Sequence, residues 1–268
     1  MKEDNPLISI ITVVFDGANC LEKTIESVGK QNYSNIEYII IDGGSRDGTI
    51  DIIKNHEKEI SNWVSEPDRG IFDAMNKGID IANGEWIQFM NAGDTLYCND
   101  TITQIAMHFT STLNIIYGDT LLKYSDNLPY KYKKAKEFKT IKSNIPFCHQ
   151  SVFVKMKLMK EFKFDLTYRF AADFDFFLKL FKNKIYEYKR LSIPISIYDM
   201  NGVSIGRTTK EEYFKIAQKH YPNSTISIHY YFRLISLNMK IALYRILPSK
   251  IVDNLLAFKR TLTNLFLS

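Results

Sequence analysis

The chain has 268 residues, 45% apolar and 24% charged, with a net charge of +5. This is long enough for one large domain, or one domain with an appendage, and the balance excludes disorder as the default for any long stretch. The three cysteines, Cys20, Cys98 and Cys148, show no CxxC spacing, which argues against a disulfide framework or a zinc site and fits a reducing compartment.

The first apolar run, Leu7–Phe15, follows Glu3 and Asp4 and ends in Phe15-Asp16-Gly17. A signal peptide would have a basic start and small residues at its end, so Leu7–Val14 reads as a buried strand. No stretch reaches the roughly 20 apolar residues that span a bilayer. The expected location is the cytoplasm, with any membrane contact peripheral.

Along the next hundred residues, strand and helix signals alternate. Asn19, three residues before Glu22, has the form of a helix start, and Leu21, Ile25 and Val28 share a helical face. Ile36–Ile41 is a second buried strand, Thr49–Lys58 a helix and Trp63–Ser65 a short strand. Phe72, Met75, Ile79 and Ala82 again share a helical face, Trp86–Met90 is a strand, and a helix near Asp100–Phe109 leads to a strand at Asn114–Tyr117. Repeated β-α-β units imply an α/β fold: an open, mostly parallel twisted sheet with helices on both faces, Rossmann-like. Ligands bind such sheets at the carboxyl ends of the strands, and Asp16, Asp42, Glu66–Asp68 and Asp94 all fall there.

Residues 120–165 are less regular, and seven lysines fall between Lys123 and Lys142 against Asp126 and Glu137. Ala171–Phe181 reads as a helix and Leu191–Tyr198 as a strand. From Thr208 the pattern is helical to the end, broken at Pro222 and Pro248. These signals divide the chain into a catalytic domain, 1–205, and a helical extension, 206–268. In the extension, Arg233, Ser236 and Lys240 form a polar stripe on an otherwise apolar helix. That pattern suits either a membrane interface or packing against protein.

Four segments carry candidate chemistry. Asp42-Gly43-Gly44-Ser45-Arg46-Asp47-Gly48-Thr49 follows a strand and opens a helix, so its glycines admit a ligand close to backbone. It is either a nucleotide loop or a tight turn capped by Asp47 or Thr49. Asp94, in Asn91-Ala92-Gly93-Asp94, is either a ligand for Mg²⁺ or Mn²⁺ or a cap for the next helix. Asp173, in Ala172-Asp173-Phe174-Asp175, is either a general base or a helix N-cap. His149 is either a contact to acceptor or phosphate, or structural.

Taken together, Ile8–Phe15, Ile39–Thr49, Glu66–Gly78 and Gly84–Asp94 resemble glycosyltransferase family 2 with the GT-A fold. The likeness runs from residue 7 to about 200. The branch it resembles most builds bacterial exopolysaccharide, colanic-acid-type and O-antigen chains. The resemblance implies an inverting enzyme that uses a nucleotide-sugar, expected to be a UDP-sugar, a divalent cation (Mn²⁺ or Mg²⁺) and a saccharide acceptor, expected to be lipid-linked. It implies that Thr12, Phe15, Asp42, Asp68 and Asn91 line the donor pocket and that Asp94 holds the metal, because Asn91 and Gly93 stand where the family's DxD-type motif has aspartates. It further implies Asp173 as catalytic base, and an acceptor side drawn from His149, Asp175 and Arg69.

Two other functions remain in view. A sugar nucleotidyltransferase needs a basic, glycine-rich loop after the first strand, whereas Phe15-Asp16-Gly17-Ala18-Asn19 carries an acid and no base. A non-catalytic nucleotide-sugar-binding protein would not need Asp94 and Asp173. The basic segment with Tyr124, Tyr130 and Tyr132 superficially suits nucleic acid, but a solvated loop or an anionic lipid-pyrophosphate acceptor accounts for it, and no nucleic-acid partner is expected.

Overall fold

The computed structural model describes residues 5–142, 145–200 and 207–222, with scattered positions from 224 to 239. The chain forms two compact units, Met1–Ile205 and Gly206–Ser268.

The first unit is built in chain order from β1 (Ile8–Val14), α1 (Leu21–Gly29), β2 (Ile36–Asp42), α2 (Thr49–Asn55), β3 (Asn62–Ser65), α3 (Ile71–Ile81), β4 (Trp86–Phe89), β5 (Thr95–Leu96), α4 (Thr101–Ala106), β6 (Ile115–Lys123), β7 (Lys131–Lys133), β8 (Val152–Lys155), α5 (Met156–Phe162), α6 (Ala172–Lys182) and β9 (Tyr188–Asp199). The nine strands form one sheet in the order β3-β2-β1-β4-β8-β6-β9-β5, with β7 on β6. Strands β3, β2, β1 and β4 run parallel, Ile8 opposite both Ile36 and Trp86. All seven residues of β1 are buried, as expected of a central parallel strand covered on both faces.

Beyond β4 the sheet is mixed. Strand β8 is antiparallel to both β4 and β6, β9 is parallel to β6, and β5 and β7 are antiparallel additions. The parallel half thus follows the sequence expectation, and the second half adds a mixed sheet. Strand β6 extends to Lys123 and β9 begins at Tyr188, because their parallel pairing continues from Ile115–Tyr188 to Lys123–Asp199 across an irregularity near Asp119. The elements β8 and α5 arise in the stretch with the weakest periodicity, where only Val152, Phe153 and Val154 form an apolar run.

Helix boundaries are shorter than their patterns. α1 starts after Cys20 with no side-chain cap. Asn19 does not cap it; the Gly17 carbonyl takes the amides of Cys20 and Leu21 instead. α2 stops at Asn55, where His56 turns back to the Ile53 carbonyl. The core under the parallel strands includes Ile10, Ile25, Ile40, Trp86 and Phe153, with the Trp86 and Phe109 rings 4.5 Å apart. α3 lies so close to β1 that a Cβ on Gly78 would meet Ile11 at 2.7 Å.

In the second unit, α7 spans Arg207–His220, and the Tyr213 and Tyr230 rings meet edge to face at 6.1 Å. The stripe expected from Arg233, Ser236 and Lys240 falls mostly outside the described residues. Among the described residues, no helix is long and apolar enough to cross a membrane.

Candidate active site

The four parallel strands deliver their following loops to one edge of the sheet: Phe15-Asp16 after β1, Gly43–Thr49 after β2, Glu66–Arg69 after β3 and Asn91–Asp94 after β4. The acids on this edge have unequal tasks.

Asp42 has no exposed surface. Its carboxylate accepts from the amides of Gly44 (3.1 Å) and Ser45 (3.0 Å), from Ser65 Oγ (2.6 Å) and from Ser45 Oγ. With four donors, Asp42, which the family pattern placed near the base, folds the glycine loop and ties it to β3. Thr12 is likewise fully buried, its hydroxyl donating to the Met90 carbonyl at 2.7 Å beside the Tyr38 hydroxyl. It joins β1 to the end of β4. Asp47 braces the same region, accepting from the Thr49 and Ala18 amides at 3.1 and 2.9 Å. Those hydrogen bonds, led by the Thr49 hydroxyl, hold its carboxyl below the usual range.

What the edge presents is Phe15, 65% exposed, and Asp68. The two flank Gly43: a Cβ there would lie 2.5 Å from Asp68 Oδ2 and 3.2 Å from Phe15 Cδ2. Asp68 is fixed by the Gly70 amide at 2.7 Å. An aromatic face beside a carboxylate suits a base and a ribose hydroxyl. Arg69, next in sequence, forks onto Asp73 at 3.1 Å in the first turn of α3, with its side chain 77% exposed.

Asp94, the expected metal ligand, is held by partners on both oxygens. It is 4% exposed. Its Oδ2 accepts from Gln150 Nε2 at 2.7 Å and its Oδ1 from the Asp199 amide at 2.9 Å. Burial pushes its carboxyl up to about 7 despite those two donors. A carboxylate so enclosed anchors the loop to the turn at His149–Ser151 and to the end of β9. Thr24 completes the anchor, accepting from the Gly93 amide at 2.9 Å and donating to the Asp94 carbonyl at 2.7 Å. Gly93 has φ +98°, the left-handed region in which a side chain is strained. This backbone accounts for glycine where the family motif has an acid.

Asn91 and His149 form the loop's outward pair, Asn91 Nδ2 to His149 Nε2 at 2.9 Å. An amide NH₂ only donates, so Nε2 accepts and the ring proton sits on Nδ1. That Nδ1 lies 3.9 Å from Asp173 Oδ2. Burial, with the Lys133 ammonium, pushes His149 down to about 4 and keeps the ring neutral. Asp173 stands in the first turn of α6, and its Oδ1 accepts the Phe174 amide at 2.8 Å. The turn is held from behind by aromatic packing, with Phe147 and Phe177 edge to face at 4.8 Å. Asp175, two residues after Asp173, is fully buried and pairs with Lys179 at 2.6 Å.

The structure therefore brings together Asn91, His149 and Asp173, and separately Phe15 and Asp68. Gln150, beside His149 in the segment that resembles the family's acceptor-side pattern, joins the site through Asp94; Lys133 joins it without a sequence signal, because its role depends on which strand β7 adjoins.

Among the described residues, no three His, Cys, Asp or Glu side chains form a metal-binding group. Asn91 Oδ1 is buried and has no partner, so it is the side-chain oxygen this loop leaves for a cation. One neutral oxygen fits only an ion held chiefly by substrate phosphates, a mode Mg²⁺ accepts.

A family model described as Glycosyl transferase family 2 matches residues 9–186. A PGL/p-HBAD biosynthesis glycosyltransferase of Mycobacterium tuberculosis is 27% identical over 216 residues, covering 78% of this chain and 83% of the relative. An uncharacterized glycosyltransferase of the same species is 32% identical over 184 residues, covering 65% and 68%. Among solved structures, S. aureus TarS 1–349 with UDP-GlcNAc aligns with a TM-score of 0.64 at 16% identity, over 84% of this chain and 69% of that one. The mannosyltransferase PcManGT from Pyrobaculum calidifontis, with GDP-Man and Mn²⁺, aligns with a TM-score of 0.63 at 15% identity, over 97% and 81%. At those identities the structural likeness is one of fold, the GT-A arrangement. The sheet edge, its ordered loops and a family match covering residues 9–186 agree: the chain belongs to glycosyl transferase family 2.

Proposed function

We propose that this glycosyltransferase moves a hexose or N-acetylhexosamine from a nucleotide-sugar, a UDP-sugar, onto a hydroxyl of a lipid-linked saccharide, inverting the anomeric carbon. The product belongs to a cell-surface polysaccharide, in keeping with the exopolysaccharide, colanic-acid-type and O-antigen branch its motifs resemble, and the work is done on the cytoplasmic side. The observation that carries this reading is the Asn91–His149–Asp173 row beside the donor edge. UDP-GlcNAc in the TarS structure supports a UDP-sugar.

In a single displacement the acceptor oxygen attacks the anomeric carbon as the bond to the diphosphate breaks, and the acceptor proton leaves for a base. Asp173 is the base. His149 cannot take that proton readily, because its Nε2 lone pair is engaged by Asn91 and its Nδ1 is already protonated. The ring instead orients Asp173. Phe15 and Asp68 receive the nucleoside, and Arg69 supplies positive charge near it. Asn91 Oδ1 is the protein oxygen that would hold a Mn²⁺ or Mg²⁺ ion brought in on the diphosphate, and such an ion would neutralise charge on the leaving group. Asp94 supports this loop from behind.

The test is nucleotide release from a panel of nucleotide-sugars, with Mn²⁺, Mg²⁺ or EDTA. The expected result is nucleoside diphosphate from one donor, lost with EDTA. Pyrophosphate release would instead mark a nucleotidyltransferase. Failure to bind any nucleotide-sugar would remove the catalytic reading.

A further inference from the structure

We propose that the hairpin of β6 and β7 is the surface by which this protein lies on an anionic lipid bilayer; the inference rests on the lipid-linked acceptor proposed above. Between Tyr124 and Tyr132 the hairpin exposes four large side chains: Tyr124 (44%), Leu128 (56%), Tyr130 (49%) and Tyr132 (45%). Tyr and Leu at such a tip suit the boundary between headgroups and acyl chains, where a ring can be half wet and half apolar.

Charge points the same way. Lys123 pairs with Asp126 at its side of the hairpin, and Glu137 is taken by Arg190 and Tyr188. Lys131, Lys134, Lys136 and Lys139 are exposed and make no ion pair among the described residues. Exposed ammonium groups in the same segment as the exposed rings are complementary to an anionic surface. No arginine occurs between residues 123 and 142. Lysines without guanidinium forks suit a diffuse headgroup layer better than the bidentate reading of a nucleic-acid phosphate. A protein strand adding to β7 is disfavoured by Lys131 and Lys133, which blunt a free edge.

The hairpin also leads to the site. At the base of β7, Lys133 Nζ donates to Cys148 Sγ at 3.1 Å, one residue from His149, and Tyr132 donates to Asp119 at 2.6 Å, fixing the strand on β6. A bilayer beneath the tip would therefore present a lipid-carried acceptor beside Asp173.

The full chain is sedimented with vesicles of phosphatidylcholine alone or of phosphatidylcholine with phosphatidylglycerol, at low and high salt. The expected result is binding to the anionic vesicles only, weakened by salt. Lys131→Glu/Lys134→Glu should lower the affinity at least 10-fold, as should Leu128→Ser/Tyr130→Ser at high salt, with melting temperatures near wild type. Wild-type binding matched by both variants overturns the hairpin reading, as does absence of wild-type binding or equal binding to neutral vesicles. Donor turnover, read as nucleotide release from the same wild-type preparation, separates the two proposals. Turnover without vesicle binding overturns the hairpin alone; absence of turnover on every donor bears on the proposed function.

Discussion

Asp173→Asn is expected to lower kcat by about 10²–10⁴-fold, the contribution of a positioned general base, with donor KM nearly unchanged. The asparagine is isosteric and its Oδ1 can still accept the Phe174 amide that Asp173 accepts at 2.8 Å. The first turn of α6 therefore keeps its bond, and the melting temperature should stay within a degree or two of wild type. What disappears is a carboxylate able to take a proton. His149→Gln should cost less, because it removes a ring that positions Asp173 at 3.9 Å and accepts from Asn91, and leaves the carboxylate in place. Steady-state rates with a saccharide acceptor, alongside donor titration, check both. A reversed ranking, with His149→Gln near-inactive and Asp173→Asn near wild type, would transfer the base to His149.

Gly43→Ala should raise donor KM at least 10-fold and leave kcat comparatively intact. Its φ is not in the left-handed region, so the backbone accepts alanine and any effect comes from the added methyl. That methyl would stand 2.5 Å from Asp68 Oδ2 and 3.2 Å from the Phe15 ring. Asp68 can yield only by giving up the Gly70 amide at 2.7 Å. Both groups offered to the nucleoside are thereby displaced together. Asp68→Ala should show a similar loss, and the double variant should be far from additive, as contacting residues are. Additive losses would mean that Gly43 and Asp68 act on the donor independently.

The parallel half of the sheet was legible because strands covered on both faces are rich in apolar residues, and Ile8–Val14, polar only at Ser9 and Thr12, and Ile36–Ile41, charged only at Glu37, are. The second half was not. Strand β8 is four residues long, and β9 mixes buried, half-buried and exposed positions over twelve without alternating, so neither gives a strong local period. Candidate acids were correctly placed on one edge, but sequence position does not say which way a carboxylate turns. Asp42 and Asp94 face inward because Ser45, Ser65, Gln150 and the Asp199 amide offer donors there, and two of those donors come from over 50 residues away along the chain. The pairing of Asn91 with His149 spans 58 residues and depends on β8 returning beside β4. That return was invisible in the irregular middle of the sequence.

In the proposed single displacement an acceptor hydroxyl, relieved of its proton at Asp173, replaces the diphosphate. Proton NMR of the purified product, compared with the donor, tests it most directly through the coupling constant at the transferred sugar's anomeric carbon. The account expects the opposite anomer from that in the donor. A retained anomer would contradict it, because one displacement with one base cannot give that product.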